Sequence, residues 1–258
     1  MRLIDGAEAI RGDLPASATR VVEVPVEAGE SLDTGVMRFS SLVRVRERMR
    51  EALQAVPDWA LTVGGDCAVS LTAVEHAMVR TGGDLAVVWF DAHPDLNTPE
   101  SSPSGAFNGM VLRALIGEGV RGLIPDAGAR VLPERIVLGG LRDVDPGETR
   151  FLAEHGLMAI DTDDLQSPEL LVEAVRETGA SRVFVHIDLD VLDPSTIAGL
   201  ASPLPFGLSI ETLTELVTAL RAEFPLAGAS IVGFSPVSPL AAEDDLPSIL
   251  RIIGALTR

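Results

Sequence analysis

The chain has 258 residues and one cysteine, Cys67. A single cysteine excludes a disulfide within the chain, which fits a protein of a reducing compartment. The sequence also lacks an uninterrupted apolar run of about 18 residues, the length that a membrane-spanning helix needs. It begins MRLIDGAEAIRGDLP, where no basic segment precedes a long apolar one, so no secretory signal is indicated. We therefore expect a soluble, cytoplasmic protein.

Positive charge is scarce. The chain has 20 lysine and arginine residues against 38 aspartate and glutamate residues, and its formal net charge is −18. Such a charge repels the phosphates of nucleic acids and anionic lipids, so we expect neither nucleic acid nor a membrane as a partner. A small cationic substrate or a metal ion fits better.

Linkers rich in Pro, Gly or Ser are also missing, so we expect residues 1–258 to form one domain. Short runs rich in Val and Ile, apolar on both faces, alternate with amphipathic segments such as 41–56 and 209–224, which predict helices. This alternation predicts a doubly wound parallel sheet or, as the alternative, a closed barrel. The predicted strands are residues 21–24, 61–63, 85–90, 136–138, 158–160, 182–187 and 231–234.

Two predicted strands end in clusters of ionisable residues. LAVVWFDAHPDLN leads into Asp91, His93 and Asp95, and RVFVHIDLDVLDP leads into Asp188 and Asp190. In both architectures the ligand site lies at the carboxyl ends of the strands. Carboxylates that converge there repel one another, so they need protons or a shared cation. Two divalent ions would satisfy them, and carboxylates with one imidazole suit Mn²⁺.

Other polar residues near strand ends have ordinary structural explanations. Cys67 alone is more often a small buried apolar side chain, although a thiolate ligand would favour a softer ion such as Zn²⁺. We interpret His186, inside a strand, as a packed and hydrogen-bonded core histidine, and expect His76 and His155 to be solvated. Single aspartates at strand ends usually cap helices or turns, and we interpret three in this way: Asp66, Asp143 and Asp193.

Four blocks, GGDC, DAHPDLNTPESSPSG, GGLRDVDPGE and HIDLDVLDP, resemble the signature blocks of the ureohydrolases, the manganese enzymes that include arginase and agmatinase. They resemble arginase in particular and occur in the family's order. The resemblance implies a three-layer α/β/α sandwich around a mainly parallel sheet of about eight strands. It also implies assembly into trimers or hexamers and hydrolysis of guanidino groups, which are linear amidines.

The resemblance further implies a site for two Mn²⁺ ions. Asp91 and Asp188 match the ligands that bridge both ions, and a hydroxide held between the ions would attack the guanidinium carbon. The other ligands follow by position: Asp95 and Cys67 for the first ion, His93 and Asp190 for the second.

Several residues match the substrate positions of arginase. Asp145 and Glu148 match positions that recognise the α-amino group, whereas Asn97 and Ser104 match positions that contact the carboxylate. Ser202 matches a further position in the pocket. These matches favour an amino-acid substrate over agmatine, although DVDPGE alone also reads as an ordinary Pro-Gly turn.

The chain departs from the family's pattern at several places, among them Ala106, which replaces an asparagine that contacts the substrate carboxylate. Cys67 replaces the ligand histidine of the usual GGDH block, and a thiolate binds Mn²⁺ more weakly than imidazole does, although a branch acting on hydroxyarginine also has cysteine there. Asn108, the third catalytic candidate beside Asp91 and Asp188, replaces a histidine that carries a proton to the leaving amine. The glutamate of the family's VEVNP block, which binds the guanidinium, falls on Ser238 or Pro236 of GFSPVSPL.

Three hypotheses remain. The first is a binuclear metal hydrolase that cleaves a C–N bond of a guanidino or N-hydroxyguanidino amino acid. The second is a degenerate member of the family that keeps the fold and part of the metal site with little or no ureohydrolase activity. The third, an unrelated phosphotransfer enzyme, is disfavoured because no P-loop accompanies the aspartates.

Overall fold

In the computed structural model, which describes residues 2–257, six parallel strands form one sheet in the order β1-β6-β5-β2-β3-β4. Within this range β1 and β4 lie at the two open edges of the sheet. The open order excludes the closed barrel. The strands are β1 (Leu61–Val63), β2 (Ala86–Phe90), β3 (Ile136–Gly139), β4 (Met158–Ile160), β5 (Val183–Asp188) and β6 (Leu226–Val232).

Helices cover both faces of the sheet. They are α1 (Arg2–Gly12), α2 (Phe39–Gln54), α3 (Ala68–Thr81), α4 (Val111–Ile116), α5 (Pro146–His155), α6 (Pro168–Glu177), α7 (Ile210–Glu223) and α8 (Pro239–Thr257). Two apolar cores separate the layers: α1, α6, α7 and α8 pack on one face, and α2 to α5 on the other. None of the helices in residues 2–257 combines the length and the apolar character needed to cross a bilayer.

Strand β2 shows why the sequence pattern has no alternation. Val88 and Phe90 point into one core, whereas Val87 and Trp89 point into the other, and all four are fully buried. A strand covered on both faces is apolar throughout, which is the pattern of a parallel sheet between two helical layers. The α/β sandwich predicted from the sequence is therefore confirmed.

The strand predictions are correct in the centre of the sheet and wrong at its margins. Those at 61–63, 85–90, 136–138, 158–160 and 182–187 agree with β1 to β5 within one residue. Residues 21–24 form no strand; Val21 and Val24 are exposed, and Pro25 next to them cannot donate a backbone hydrogen bond. The structure thus has six strands in residues 2–257, not about eight.

The predicted bounds of the last strand are wrong for a different reason. The prediction of 231–234 overlaps only the end of β6, which begins at Leu226. Its first half, LAGAS, consists mostly of small residues with low strand propensity, so it gives little signal. Small size is required there because a Cβ on Gly228 would lie 2.8 Å from the ring of Phe184 on β5.

The two predicted helices are confirmed as α2 and α7. Helix α2 is held on α3 by a buried ion pair, in which Arg46 Nη2 lies 3.2 Å from Glu75 Oε2. Arg46 also donates to the carbonyl oxygens of Gly122 and Ile124. Arg50 reaches the same carboxylate from a half-exposed position. Removing one partner of a buried pair leaves the other charge uncompensated, which is more costly than losing a surface pair.

We predict that Arg46→Met lowers the free energy of unfolding by about 3 kcal/mol. The matched variant Arg50→Met should cost about 1 kcal/mol or less, because its guanidinium is partly solvated. Urea unfolding followed by circular dichroism measures both. Equal losses for the two variants would contradict the importance assigned to the buried pair.

Candidate metal centre

The predicted ligands meet at the carboxyl ends of the central strands. Asp91 directly follows β2, Asp188 is the last residue of β5, and these strands are neighbours in the sheet. Cys67 lies after β1, where the chain turns into α3. All three side chains are buried. The parallel sheet thus brings residues that are far apart in the chain to one edge, as the sequence analysis predicted.

The two carboxylate oxygens of Asp91 face different groups of side chains. Oδ1 accepts from the backbone N–H of His93 at 2.7 Å and lies 3.3 Å from His93 Nδ1. Oδ2 accepts from Trp89 Nε1 at 3.2 Å and lies 3.8 Å from both Cys67 Sγ and His186 Nε2. Asp91 therefore stands between two sets of potential metal ligands.

The outer cluster consists of Asp91, His93 and Asp190. His93 Nδ1 lies 3.2 Å from Asp190 Oδ2, and Asp190 Oδ1 accepts from the backbone N–H of Ala92 at 3.1 Å. The His93 side chain is 31% exposed, so this cluster opens to solvent. Two carboxylates and one imidazole form a hard donor set of the kind that suits Mn²⁺.

The inner cluster consists of Cys67, Asp91 and His186, all buried. Cys67 Sγ donates to Asp188 Oδ2 at 3.1 Å, so Asp188 also borders this cluster. His186 is a packed, hydrogen-bonded core histidine, as we interpreted it, but its place beside Cys67 was missed. A signal was available, because residues two apart in a strand share a face and His186 precedes Asp188 by two.

Asp95 is buried and adopts a left-handed backbone conformation, with φ of 52°. Its Oδ2 is buried without a hydrogen-bond partner in the described part of the chain. Burial and the neighbouring Asp91 raise the pKa of Asp95 well above its ordinary value. A strained residue with an unsatisfied carboxylate oxygen fits the role of a cation ligand.

The pKa shifts in both clusters also indicate that these residues are suited to bind cations. Burial raises the pKa of Asp188 strongly and that of Asp190 to about 6, and neighbouring carboxylates add to both shifts. Burial also raises the pKa of the Cys67 thiol. For His93, burial acts to lower the pKa, but the hydrogen bonds that its ring donates to Asp190 and Asp91 outweigh burial and raise the pKa to about 11. Protons here compensate charges that divalent cations would compensate, and the donor set fits such ions.

Three predicted substrate residues form one hydrogen-bonded group beside the metal ligands. Asn97 Nδ2 donates to Asp145 Oδ2 at 2.8 Å. Glu148 is buried, and its two oxygens accept from the backbone N–H groups of Leu96 and Asp145. DVDPGE begins helix α5, with Asp145 as N-cap and Pro146 in the first turn, so it is not a free Pro-Gly turn.

The other predicted site residues lie at the surface. Ser104, Asn108 and Ser202 are exposed, and Ser104 Oγ accepts from the backbone N–H of Ala106. Asn108 belongs to a 3₁₀ turn at 107–110. A hydrogen bond from Asn97 N to Gly109 O ties this turn to residues 91–97, the metal loop, which carries Asp91, His93 and Asp95. Their roles towards a substrate remain predictions.

Most residues interpreted as structural have structural contacts. Asp66 accepts from the backbone N–H of Ala68, and Asp193 accepts from those of Ser195, Phe206 and Gly207. Asp143 is exposed. His155 is exposed as expected. His76 differs, because its Nε2 is shielded from solvent.

Arg142 is a site residue that the sequence analysis missed. Its guanidinium donates to the carbonyl oxygens of Gly140, Val191, Asp190 and Leu204. It thereby fixes the turn that carries Asp190 against the end of β3. An arginine that binds only backbone carbonyls leaves no recognisable spacing in the sequence.

The resemblance places the family's guanidinium-binding glutamate at Ser238 or Pro236. Ser238 is exposed, and its Oγ accepts from the backbone N–H of Ala241 in α8. Matching VEVNP without a gap to Val232–Pro236 puts Gly233 at the glutamate instead. Gly233 has φ of 84°, and a Cβ there would lie 2.2 Å from Asp188 Oδ1. No side chain fits at this point without a shift of Asp188.

Comparison with known proteins agrees with this geometry. Residues 6–244 match the model of the arginase family. An arginase of Staphylococcus aureus (strain MRSA252) is 32% identical over 236 residues, which cover 88% of this chain and 76% of that protein. The structure of Entamoeba histolytica arginase in complex with L-ornithine superposes with a TM-score of 0.85 at 23% identity, covering 98% of this chain and 92% of the other. Formimidoylglutamase of Bacillus subtilis has the same fold, with a TM-score of 0.69 at 21% identity over 97% and 80% of the two chains. The chain belongs to the arginase family.

Proposed function

We propose that this protein is a manganese-dependent hydrolase that cleaves a C–N bond of a guanidino or N-hydroxyguanidino amino acid. The observation that carries the proposal is the division of the Asp91 carboxylate between the inner and outer clusters. One carboxylate shared by two ligand sets is the arrangement that a two-ion hydrolytic centre would use.

The residues that would hold the ions are those of the inner and outer clusters, together with Asp95 and Asp188. Asp91 and Asp188 would be shared by the two ions. Cys67 and Asp95 would complete the inner site, and His93 and Asp190 would complete the outer site. When bound, a pair of divalent ions lowers the pKa of water towards neutrality and stabilises negative charge on the reacting atoms. Because Mn²⁺ prefers oxygen and nitrogen ligands, the inner site should hold it more weakly than the outer one.

The group formed by Asn97, Asp145 and Glu148 would bind the amino-acid end of the substrate. Glu148 fixes two backbone N–H groups and so holds the metal loop against the start of α5. Asp145 is partly exposed, and its carboxylate can meet a cationic α-amino group. The Entamoeba relative, crystallised with L-ornithine, supports an amino-acid ligand.

Two features make L-arginine a poor substrate for this site. Asn108 cannot donate a titratable proton to a leaving amine, and no carboxylate occupies the place of Gly233 to bind the guanidinium. One lost electrostatic contact costs about 3 kcal/mol of transition-state stabilisation, and a lost general acid costs about another hundredfold in rate. A substrate with a less basic leaving group needs less protonation and is therefore affected less.

We predict that manganese-loaded protein hydrolyses an N-hydroxyguanidino amino acid faster than L-arginine at equal concentration. A formimidoyl amino acid belongs in the same panel, given the fold shared with formimidoylglutamase.

Asp188→Ala should abolish turnover of every substrate without unfolding the chain, and chelator should do the same reversibly. Turnover of L-arginine at an ordinary enzymatic rate, roughly ten per second, would contradict the roles given to Asn108 and Gly233. Absence of any turnover with both ions bound would favour the degenerate family member.

The pKa shifts predict different pH dependences of stability with and without metal. In metal-free protein, folded His93 keeps its proton up to a pKa of about 11, whereas an unfolded histidine loses it near 6.5. Between about pH 7 and about pH 9 the folded state therefore binds more protons than the unfolded state, and the free energy of unfolding falls as pH rises. The raised pKa values of Asp95 and Asp188 act in the same direction.

Metal binding requires deprotonated ligands, so it strengthens over the same pH range and should reverse this slope or remove it. Thermal unfolding across the range, in chelator and in excess Mn²⁺, measures both slopes. Metal-free His93→Asn serves as the control and should show a flatter profile than the metal-free parent. Equal slopes in chelator and in metal would count against a cation site at these residues.

A further inference from the structure

We infer that His186 is a ligand of the inner metal ion, together with Cys67 and Asp91, and that this site selects a softer ion such as Zn²⁺ or Co²⁺. The inference rests on the proposed function only in that it requires a metal beside Asp91. It adds a ligand outside the set that the family resemblance implies, and it gives the two ions of this centre different chemistry.

The hydrogen bonds of His186 leave one ring nitrogen free. Nδ1 lies 2.8 Å from Ser70 Oγ and 2.9 Å from Ser230 Oγ, so it has partners on the side away from the carboxylates. Nε2 is fully buried and has no hydrogen-bond partner within residues 2–257. A ring that donates its Nδ1–H to a hydroxyl presents an unprotonated Nε2, which is how a metal-binding histidine is usually held.

A hydrogen bond from Nε2 to Asp91 would be the alternative explanation. The distance from Nε2 to Asp91 Oδ2 is 3.8 Å, which is too long for a hydrogen bond. It suits two ligands of one ion, because donors bound at about 2.0 to 2.3 Å in a tetrahedron lie roughly 3.3 to 3.8 Å apart. Cys67 Sγ lies at the same 3.8 Å from Asp91 Oδ2.

The ring of His186 is also fixed in orientation. It lies on the ring of Trp89, with the centroids 3.5 Å apart and the planes inclined by 13°. Trp89 Nε1 in turn donates to Asp91 Oδ2, so the same residue orients the imidazole and the carboxylate. His186 lies within β5 and Trp89 within β2, two adjacent central strands. A ligand on such elements needs little reorganisation to bind an ion.

The donor atoms decide which ion binds. A thiolate and an imidazole prefer Zn²⁺ or Co²⁺ over Mn²⁺, whereas the two carboxylates and one imidazole of the outer cluster suit Mn²⁺. Cys67 binds Mn²⁺ weakly, and for the same reason it makes the inner site selective for Zn²⁺ or Co²⁺. Asp188, whose Oδ2 is 3.1 Å from Cys67 Sγ, is placed to be a fourth ligand, and Asp95 with its unsatisfied Oδ2 would complete the inner site.

The test uses Co²⁺, because a thiolate bound to cobalt gives a charge-transfer absorption band in the near ultraviolet. We expect the full-length protein to bind two Co²⁺ ions per chain and to show this band, and Zn²⁺ added in competition should remove it. His186→Phe keeps a flat ring on Trp89 but has no donor nitrogen. It should weaken binding of the inner ion by at least about tenfold, the lower bound for loss of a supporting residue, so that the band from the Cys67 thiolate appears only at correspondingly higher Co²⁺ concentration.

Two control variants make the result specific. His155→Phe changes another histidine that is stacked on an aromatic ring, Phe151, outside the centre, and it should leave the band and the stoichiometry unchanged. His93→Ala should lose the outer ion and keep the band. An unchanged band and two tightly bound ions in His186→Phe would overturn the inference.

A second measurement needs no variant and so avoids any folding defect of His186→Phe. X-ray absorption of unmodified protein loaded with one equivalent of Zn²⁺ should show one sulfur and one imidazole around the ion. A sulfur without an imidazole, or an imidazole without a sulfur, would also overturn the inference. If the spectra agree with it but no amidine is hydrolysed, the proposed function fails and the ligand assignment stands; turnover without imidazole at the sulfur-bound ion gives the reverse.

Discussion

Mutual repulsion among buried carboxylates is the constraint on which this site depends. Asp91, Asp95, Asp188 and Asp190 are all buried at one edge of the sheet. Charged groups in such surroundings must be protonated or must share a cation, because their repulsion at low dielectric amounts to several kcal/mol. Raised carboxylate pKa values and a strongly basic His93 are consequences of this constraint. Both are states that divalent ions would replace.

The fold supplies the rigidity that this concentration of charge requires. Asp188 is the last residue of β5 and Asp91 directly follows β2, two central strands covered by helices on both faces. The supporting contacts are largely to backbone groups: Glu148 holds two N–H groups, and Arg142 holds four carbonyl oxygens. Such residues set the positions of the ligands without being ligands.

The features that could be predicted from the sequence are those that depend on a local pattern of residues. Fully apolar runs identified the central strands, and Asp91, His93 and Asp188 were placed correctly at their ends. Features that depend on contacts between distant residues were not predicted. The small residues of β6 are explained only by the neighbouring Phe184, and His186 resembles a core residue unless its proximity to Cys67 is known. Glu148 and Arg142 show the same limit, since their partners are backbone groups that any sequence could provide.

The central claim is that one carboxylate, Asp91, serves two ions. Elemental analysis of metal per chain, after loading and removal of excess ions, tests it directly with Asp91→Asn against the unmodified protein. We expect two ions in the unmodified protein and loss of both in the variant, because the neutral amide weakens the inner and outer clusters together. Loss of only one ion, or retention of both, would contradict a shared carboxylate.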